Sequence, residues 1–480
     1  MKHTKLRNQI QLITYADSLG RNLSELKVAL DSYLGEYIGG VHILPFYPSS
    51  ADRGFAPLTH LEVNPVFGTW QDIQAIAEEY DLMVDLVANH ISAQSSYYQD
   101  FLIKGQRSLF ADMFLTTKKV FGATIDPDQL GKIYRPRPTP PYHEVRLGDG
   151  TRENIWMSFS EEQIDLDWDS PITQDLIKQF LHTLGEHGTD LIRLDAIGYI
   201  LKRPGTNSFL IPEVYDRIEW MSEVARQYEI EFLPEVHFHY SKQLEIAEKC
   251  DWVYDFALPM LTLYALYTAD SYPLENWIRM RPDNQITTLD THDGIGVTDV
   301  EDLMTPDQID QTRRIVMAHG GNEAMRATGS GSQNLDIYQL NTTYYTAVGN
   351  DDAYLLARAI QFFVPGIPQI YHMGMLCGEN DVQKFMVTGV GRDLNRHDYT
   401  LQEIEQQLDR PVVRRLFALM KFRNNYPAFN GTFELHDSPA DSMILSWKQD
   451  ESEARLEVNL RTYGAKIQYR EAEEWKTFEV

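Results

Sequence analysis

Cysteine is nearly absent from this chain: 480 residues contain two, Cys250 and Cys377. Two thiols make no disulfide framework, so the fold has to be held by a buried core. Basic residues are also scarce, 43 against 70 acidic ones, for a formal charge of −27. That imbalance disfavours nucleic acid and anionic membranes as partners, because phosphate-rich surfaces are gripped through cations. No apolar run approaches a membrane span. The opening segment MKHTKLRNQIQLITYADSLG lacks the continuous apolar stretch and small-residue cleavage site of a secretory signal, and a cytoplasmic location is expected. Internal repeats, low-complexity tracts, glycine-rich phosphate loops and Cys/His clusters are missing as well. No nucleotide, zinc or other cofactor is therefore expected.

What the chain does have is apolar and aromatic material. Its hydrophobic content is 43%, and 26 tyrosines and eight tryptophans bring aromatics to 11%. Most of these rings belong in a core, but flat rings with polar tips also suit sugars. Short β-rich runs recur at 10–16, 39–46, 82–90, 189–196, 230–237, 251–257, 285–293 and 366–374. Amphipathic stretches separate many of them. In SPITQDLIKQFLHTLGEHG, residues Ile172, Leu176, Phe180, Leu181 and Leu184 share one face of a 3.6-residue period. Alternation of eight strands with helices predicts a (β/α)₈ barrel.

Two connections exceed ordinary loop length. One, near 92–165, contains the Pro- and Arg-rich IYRPRPTPPYHEV; the other, near 294–364, contains the Gly- and Ser-rich ATGSGSQNLDIYQ. Both follow strand C-terminal ends, the face on which barrels build their sites. After about 430 the pattern turns to short alternating runs, predicting a small all-β C-terminal domain. The segmentation is thus barrel (1–91), inserted loop domain (92–165), barrel (166–293), inserted loop region (294–364), barrel (365–429) and β domain (430–480).

Polar residues gather where the barrel strands end: Asn89-His90, Arg193-Leu194-Asp195, Glu235-Val236-His237 and Asp290-Thr291-His292-Asp293. Arg193 and Asp195 are two apart and point to one side of their strand. Three carboxylates with an arginine and histidines suit glycoside chemistry by a retaining route, with one carboxylate as nucleophile and one carboxylic acid as proton donor. Arg193 is expected to hold the Asp195 carboxyl low and ionised. Glu235, on the more apolar LPEV run, suits the acid/base role, and Asp293 suits stabilisation of an oxocarbenium-like transition state. Any one of these taken alone is as readily a helix cap; the joint pattern is not.

The segments DLVANH (85–90), DLIRLDAIG (190–198), PEVH (234–237) and TTLDTHDG (287–294) resemble, in order and spacing, the four short motifs of α-amylase-type retaining glycoside hydrolases and transglycosidases. The resemblance implies Asp195 as nucleophile, Glu235 as acid/base and Asp293 as stabiliser, with His90, Arg193 and His292 lining the glucosyl site. Over nearly the whole chain, from QLITYADSLG through GGVHILPFYPSSADRGFAP to RPVVRRLFAL and FRN, the likeness is to the sucrose phosphorylases and sibling disaccharide phosphorylases. It implies that Asp52, Phe55 and Arg392 enclose one terminal glucose. Its acceptor side implies a cationic, donor-rich place for phosphate: Arg137, supported by Tyr134, Phe159, Tyr199 and His237. Asp336 and Gln339 come from the second long loop, with Asp336 presented to fructose and withdrawn when phosphate enters.

The expected partners are therefore a disaccharide, sucrose first, and inorganic phosphate. Departures from the family pattern stand at Phe238, His372 and Asp398. A bulky Phe238 at the acceptor side makes glucosylglycerol the main alternative donor, followed by sucrose 6′-phosphate and glucosylglycerate. Simple hydrolysis ranks below phosphorolysis. A non-catalytic binding subunit ranks last, since all three carboxylates are present. Asn89 with Asp165, Asp167 and Asp169 has the hard oxygens of a calcium site, but acidic residues before a helix are favoured by its dipole alone, and no metal is expected.

Overall fold

A computed structural model of the chain describes residues 5–136, 140–327, 335–471 and 474–479. Eight parallel strands form one sheet: β1 (Gln11–Thr14), β2 (Gly40–Ile43), β3 (Asp81–Val87), β4 (Leu191–Asp195), β5 (Glu231–Pro234), β6 (Val253–Asp255), β7 (Gln285–Thr288) and β8 (Ile367–Tyr371). Their hydrogen-bonded order is β6-β7-β8-β1-β2-β3-β4-β5. This is chain order read around a ring and opened between β5 and β6, the topology of a (β/α)₈ barrel. Both faces of such strands are covered, which is why β3, DLMVDLV, is buried at every position.

All eight predicted strands are present, and each stops short of its predicted C-terminal end. Strand β5 ends at Pro234 and β7 at Thr288, so Glu235 and Asp293 stand beyond the ladder. The apolar run continues past each strand, but the backbone turns away to aim the polar residues. Ala196, directly after β4, has φ of 55°, a left-handed conformation that costs a residue with a Cβ about 1 kcal/mol or more.

The chain falls into two compact units, residues 1–42 with 237–324 and 337–480, and residues 43–236 with 325–336. In the first, the helix Asp351–Phe363 is capped by Asn350 and is buried from Ala353 to Phe363. Its C-terminal part is the predicted all-β region, an antiparallel sheet of β9 (Thr432–His436), β10 (Ser442–Gln449), β11 (Ser452–Asn459), β12 (Gly464–Glu471) and β13 (Glu474–Glu479), in chain order. Met443, Leu445, Trp447, Leu456, Val458 and Ile467 make its buried face. The second long connection supplies Ile295–Gly296 and Leu335–Asn341, antiparallel partners with Gly296 opposite Gln339. Gln339 therefore belongs to a strand, not to a free loop as the Gly- and Ser-rich run before it suggests.

In the second unit, β3, β4 and β5 are in register, with Asp85 opposite Arg193 and Val87 opposite Asp195. The helix Pro171–Glu186 starts with proline at its first position and Ser170 as cap. Leu176, Phe180, Leu181 and Leu184 are buried as the period predicts, whereas Ile172 is half-buried and Ile177 takes its place in the core. The Pro- and Arg-rich insertion is more regular than its sequence suggests. It forms the hairpin Tyr142–Arg146/Arg152–Trp156 and pairs His90–Ser92 with Gln163–Asp165. Among the described residues, no helix is long and apolar enough to cross a membrane.

Trp447 ties the C-terminal sheet to the helix before β8. It is 3% exposed, its indole N–H donates to Phe363 O at 2.6 Å, and its ring meets Phe429 and Phe433. Trp447→Ala should cost about 3–5 kcal/mol of unfolding free energy, as for a buried large aromatic. Trp447→Phe should cost about 1–3 kcal/mol, chiefly from the orphaned carbonyl. Urea unfolding of both variants measures the two costs.

Candidate active site

In the second unit everything converges on Arg193, whose side chain is 3% exposed. Its NH1 donates to Asp85 Oδ1 at 2.5 Å and to Asp195 Oδ1 at 2.8 Å, and its NH2 lies 3.8 Å from Glu235 Oε1. The β3–β4 register sets this up by placing Asp85 beside Arg193. Glu235 Oε2 also accepts from the Ala196 amide at 3.3 Å, which the left-handed turn at Ala196 makes available. One guanidinium thus serves three carboxylates.

That sharing overturns the expected effect on Asp195. Burial, followed by the neighbouring Glu235 and Asp85 carboxylates, pushes its carboxyl well above the ordinary range, while Arg193 opposes without prevailing. The physical reason is burial itself, which outweighs a guanidinium that is also shared with the wholly buried Asp85.

Around this cluster the unit assembles two walls. Asp52 and Arg53 have φ of 50° and 56°, and Gly54 has φ of 108°. A Cβ on Gly54 would lie 2.5 Å from Pro45 O, so glycine is required there and the tight turn presents Asp52 and Phe55. Phe55 sits 5.6 Å from the Arg193 guanidinium. His90 donates from Nε2 to Phe55 O at 2.8 Å, and burial holds it below the usual histidine range. The other wall is aromatic. Tyr199 meets Tyr134, Phe159 and Phe209 at centroid separations of 5.9, 5.1 and 4.9 Å, and Phe159 also meets His90.

Phe209 was not visible as a site residue. Its only signal is indirect, since a Cβ on Gly198 of the DAIGY run would lie 2.7 Å from the Phe209 ring. Lys202 was also missed. Its ammonium is bound by Asp165 at 2.9 Å, by Asn89 Oδ1 at 3.5 Å and by the Tyr199 carbonyl. Asp167 pairs with Lys119, and Asp169 with Arg203 and Arg217. The oxygens that suggested calcium are therefore matched to the chain's own cations.

In the first unit the residues after β7 form a second constellation. Asp293 Oδ1 lies 2.8 Å from Arg392 NH1 and 3.8 Å from Arg396 NH2. His292 Nε2 is 3.5 Å from Asp293 Oδ2. Asn395 donates to the Asp293 and Thr291 carbonyls, and Arg396 to the His292 carbonyl. Asp290 anchors the loop below, accepting from Arg358 and from the Tyr371 amide. His237 stacks on Phe256 and lies 3.4 Å from Gln339. Two of the sequence departures serve packing here. His372 donates to the His397 carbonyl, and Asp398 accepts from Ser18 and pairs with Lys384. Arg137 lies outside the described residues, as does the side chain of Asp336.

The raised Asp195 carboxyl makes a signed stability prediction. A carboxyl that holds its proton more tightly when folded contributes most below its unfolded value, about pH 4, and loses that contribution as pH rises through the folded one. Asp195→Asn removes the penalty. It should raise Tm at pH 7 by about 1–3 °C, with the gain shrinking toward zero near pH 4. Thermal unfolding across this range decides, and a gain that does not shrink with falling pH would refute the assignment.

The α-amylase catalytic domain model matches residues 30–253. The chain is 46% identical over 475 residues to the glucosylglycerol phosphorylase of Marinobacter adhaerens, covering 98% of each. It is 44% identical over 463 residues to the sucrose phosphorylase of Streptococcus mutans, covering 95% of this chain and 96% of that one. The structure of a sucrose 6F-phosphate phosphorylase from Thermoanaerobacter thermosaccharolyticum superposes with a TM-score of 0.96 at 42% identity, covering 100% and 99% of the two chains. The chain belongs to the family of sucrose phosphorylases and related glucoside phosphorylases that carry an α-amylase-type catalytic domain.

Proposed function

We propose that the chain is a retaining α-glucoside phosphorylase with sucrose as its donor, releasing fructose and α-glucose 1-phosphate. The observation that carries this reading is the grouping of Asp195 and Glu235 around buried Arg193. In the first half, an Asp195 oxygen bonds to the anomeric carbon as the bond to the fructosyl oxygen breaks. Glu235 gives its proton to that leaving oxygen. In the second half, a phosphate oxygen attacks the same carbon, the ester to Asp195 breaks, and Glu235 takes back a proton from the phosphate. Two inversions retain the α configuration.

Asp293, held by Arg392, supplies negative charge to the oxocarbenium-like transition state. Asp52, Phe55, His90, Arg193, His292 and Arg392 grip the glucosyl group. Tyr134, Phe159 and Tyr199 supply aromatic faces for the acceptor, and His237, Gln339 and Arg137 supply donors for phosphate. Asp336 is assigned to the fructosyl hydroxyls, where a carboxylate is useful and phosphate would be repelled. The enzyme is assigned to the cytoplasm, where phosphate and sugar phosphates are at hand.

Phe238 supports a second reading, glucosylglycerol as donor, because a large ring leaves room for a smaller acceptor. The 46% identity to a glucosylglycerol phosphorylase points the same way.

Incubation with sucrose, glucosylglycerol, glucosylglycerate or sucrose 6′-phosphate, with and without phosphate, separates these readings. Glucose 1-phosphate should form fastest from sucrose; a higher kcat/KM on glucosylglycerol selects the second reading. Acid quench should trap a glucosyl-enzyme that Asp195→Ala lacks, with kcat down by about 10⁴-fold or more. Native turnover in that variant would end the double-displacement account. Asp336→Ala should raise the KM for sucrose more than that for phosphate, and equal losses would remove Asp336 from the fructosyl role.

A further inference from the structure

Asp299 lies in the short turn Thr298–Val300 and is completely buried. A carboxylate out of water needs partners. Its Oδ2 is 3.4 Å from His237 Nδ1, and the backbone amides of Phe238 and of Asp299 itself also bond to the carboxylate. Among the described residues, Oδ1 makes no hydrogen bond. Burial pushes this carboxyl upward and the His237 ring opposes that shift.

The approach of the carboxylate to the ring depends on a glycine. A Cβ on Gly296 would stand 2.2 Å from Asp299 Oδ2 and 3.3 Å from His237 Nδ1. Gly296 is pinned in place by pairing with Gln339. Glycine is needed there for space, and any side chain would be driven between carboxylate and imidazole.

The rest of the imidazole is equally constrained. One face stacks on Phe256 with centroids 3.9 Å apart and planes at 17°, and Tyr338 meets it edge-on at 5.7 Å. Nε2 lies 3.4 Å from Gln339 Nε2. A carboxylate oxygen only accepts, so the ring proton sits on Nδ1, facing Asp299. The Asp299 contact assigns the tautomer, and the Gln339 amide meets the ring nitrogen on the other side.

We propose that Asp299 is a positioning residue for the acceptor half of the reaction: through the gap at Gly296 it holds the His237 Nδ1–H, so that Nε2 faces the incoming acceptor beside Gln339. The proposal rests on the assignment of His237 and Gln339 to the acceptor side. Without the carboxylate nothing holds the proton on Nδ1, and the ring can take the other tautomer. With phosphate bound, a doubly protonated ring donates from Nε2 to a phosphate oxygen, and Asp299 balances its charge.

The test combines kinetics with a spectroscopic signature. In Asp299→Asn and in Gly296→Ala, the KM for phosphate should rise by about 10-fold or more, the cost of a misdirected hydrogen bond to a charged group. Transfer of the glucosyl group to water should fall by no more than about threefold, because water needs no anchored imidazole. In ¹⁵N-histidine-labelled wild type, the resonance lost in His237→Gln should report protonated Nδ1, and Gly296→Ala should shift it. Parallel loss of both transfers, a phosphate KM within twofold of wild type, or an Nε2–H tautomer in the wild type overturns the proposal. If the wild type releases no glucose 1-phosphate from any donor, the phosphorylase reading fails instead, and the tautomer measurement still judges the Asp299–His237 contact. Should Asp299→Asn not fold, Gly296→Ala carries the kinetic arm, since it keeps both side chains and only forces them apart.

Discussion

A single buried guanidinium organises half of this protein's chemistry. Arg193 has three carboxylates within reach and almost no water. One positive charge does not neutralise three negative ones, and burial raises the cost of the excess. The cluster therefore favours holding a proton. Asp85 matters to the cluster as much as Asp195 and Glu235 do. It fixes the guanidinium from inside the sheet, and without it Arg193 would be shared by two carboxylates rather than three.

The same matching of buried opposite charges recurs elsewhere. Arg358 holds Asp290 beneath the loop that carries Asp293, Arg281 faces Asp255, and Lys202 takes the oxygens of Asp165 and Asn89. Each pair fixes a loop or strand end by partners that are hard to replace. Removing one member leaves an uncompensated charge in the interior, a loss of about 3–5 kcal/mol for buried pairs. The large negative charge of the chain is thus not evenly spread. Many of its buried carboxylates are matched by cations, and the cluster at Arg193 is the exception.

The eight strands and the residues at their ends were legible because parallel barrel strands are apolar on both faces, so a charge in such a run stands out. Arg193, Asp195, Glu235 and Asp293 are conspicuous for that reason. Gln339 was placed in a flexible loop because the Gly- and Ser-rich run before it masks the strand Leu335–Asn341. Lys202 and Phe209 left no trace, since a lysine in KRPG and a phenylalanine in NSFL look like any loop residues. Asp299 reads as a turn residue until its burial beside His237 is known. In each case the missing information is the identity of a neighbour far along the chain.

The sequence by itself determined the barrel, the C-terminal sheet and the chemical types gathered at the strand ends. Those follow from hydrophobic period and from the expense of placing charge in an apolar run. Tertiary structure alone decided how the charges act. Asp195 is pushed up rather than down because the fold buries it beside Glu235 and Asp85, and Asp85, 110 positions earlier in the chain, shares its guanidinium through a strand register. Electrostatic work depends on distance and burial, and neither is written in the order of residues.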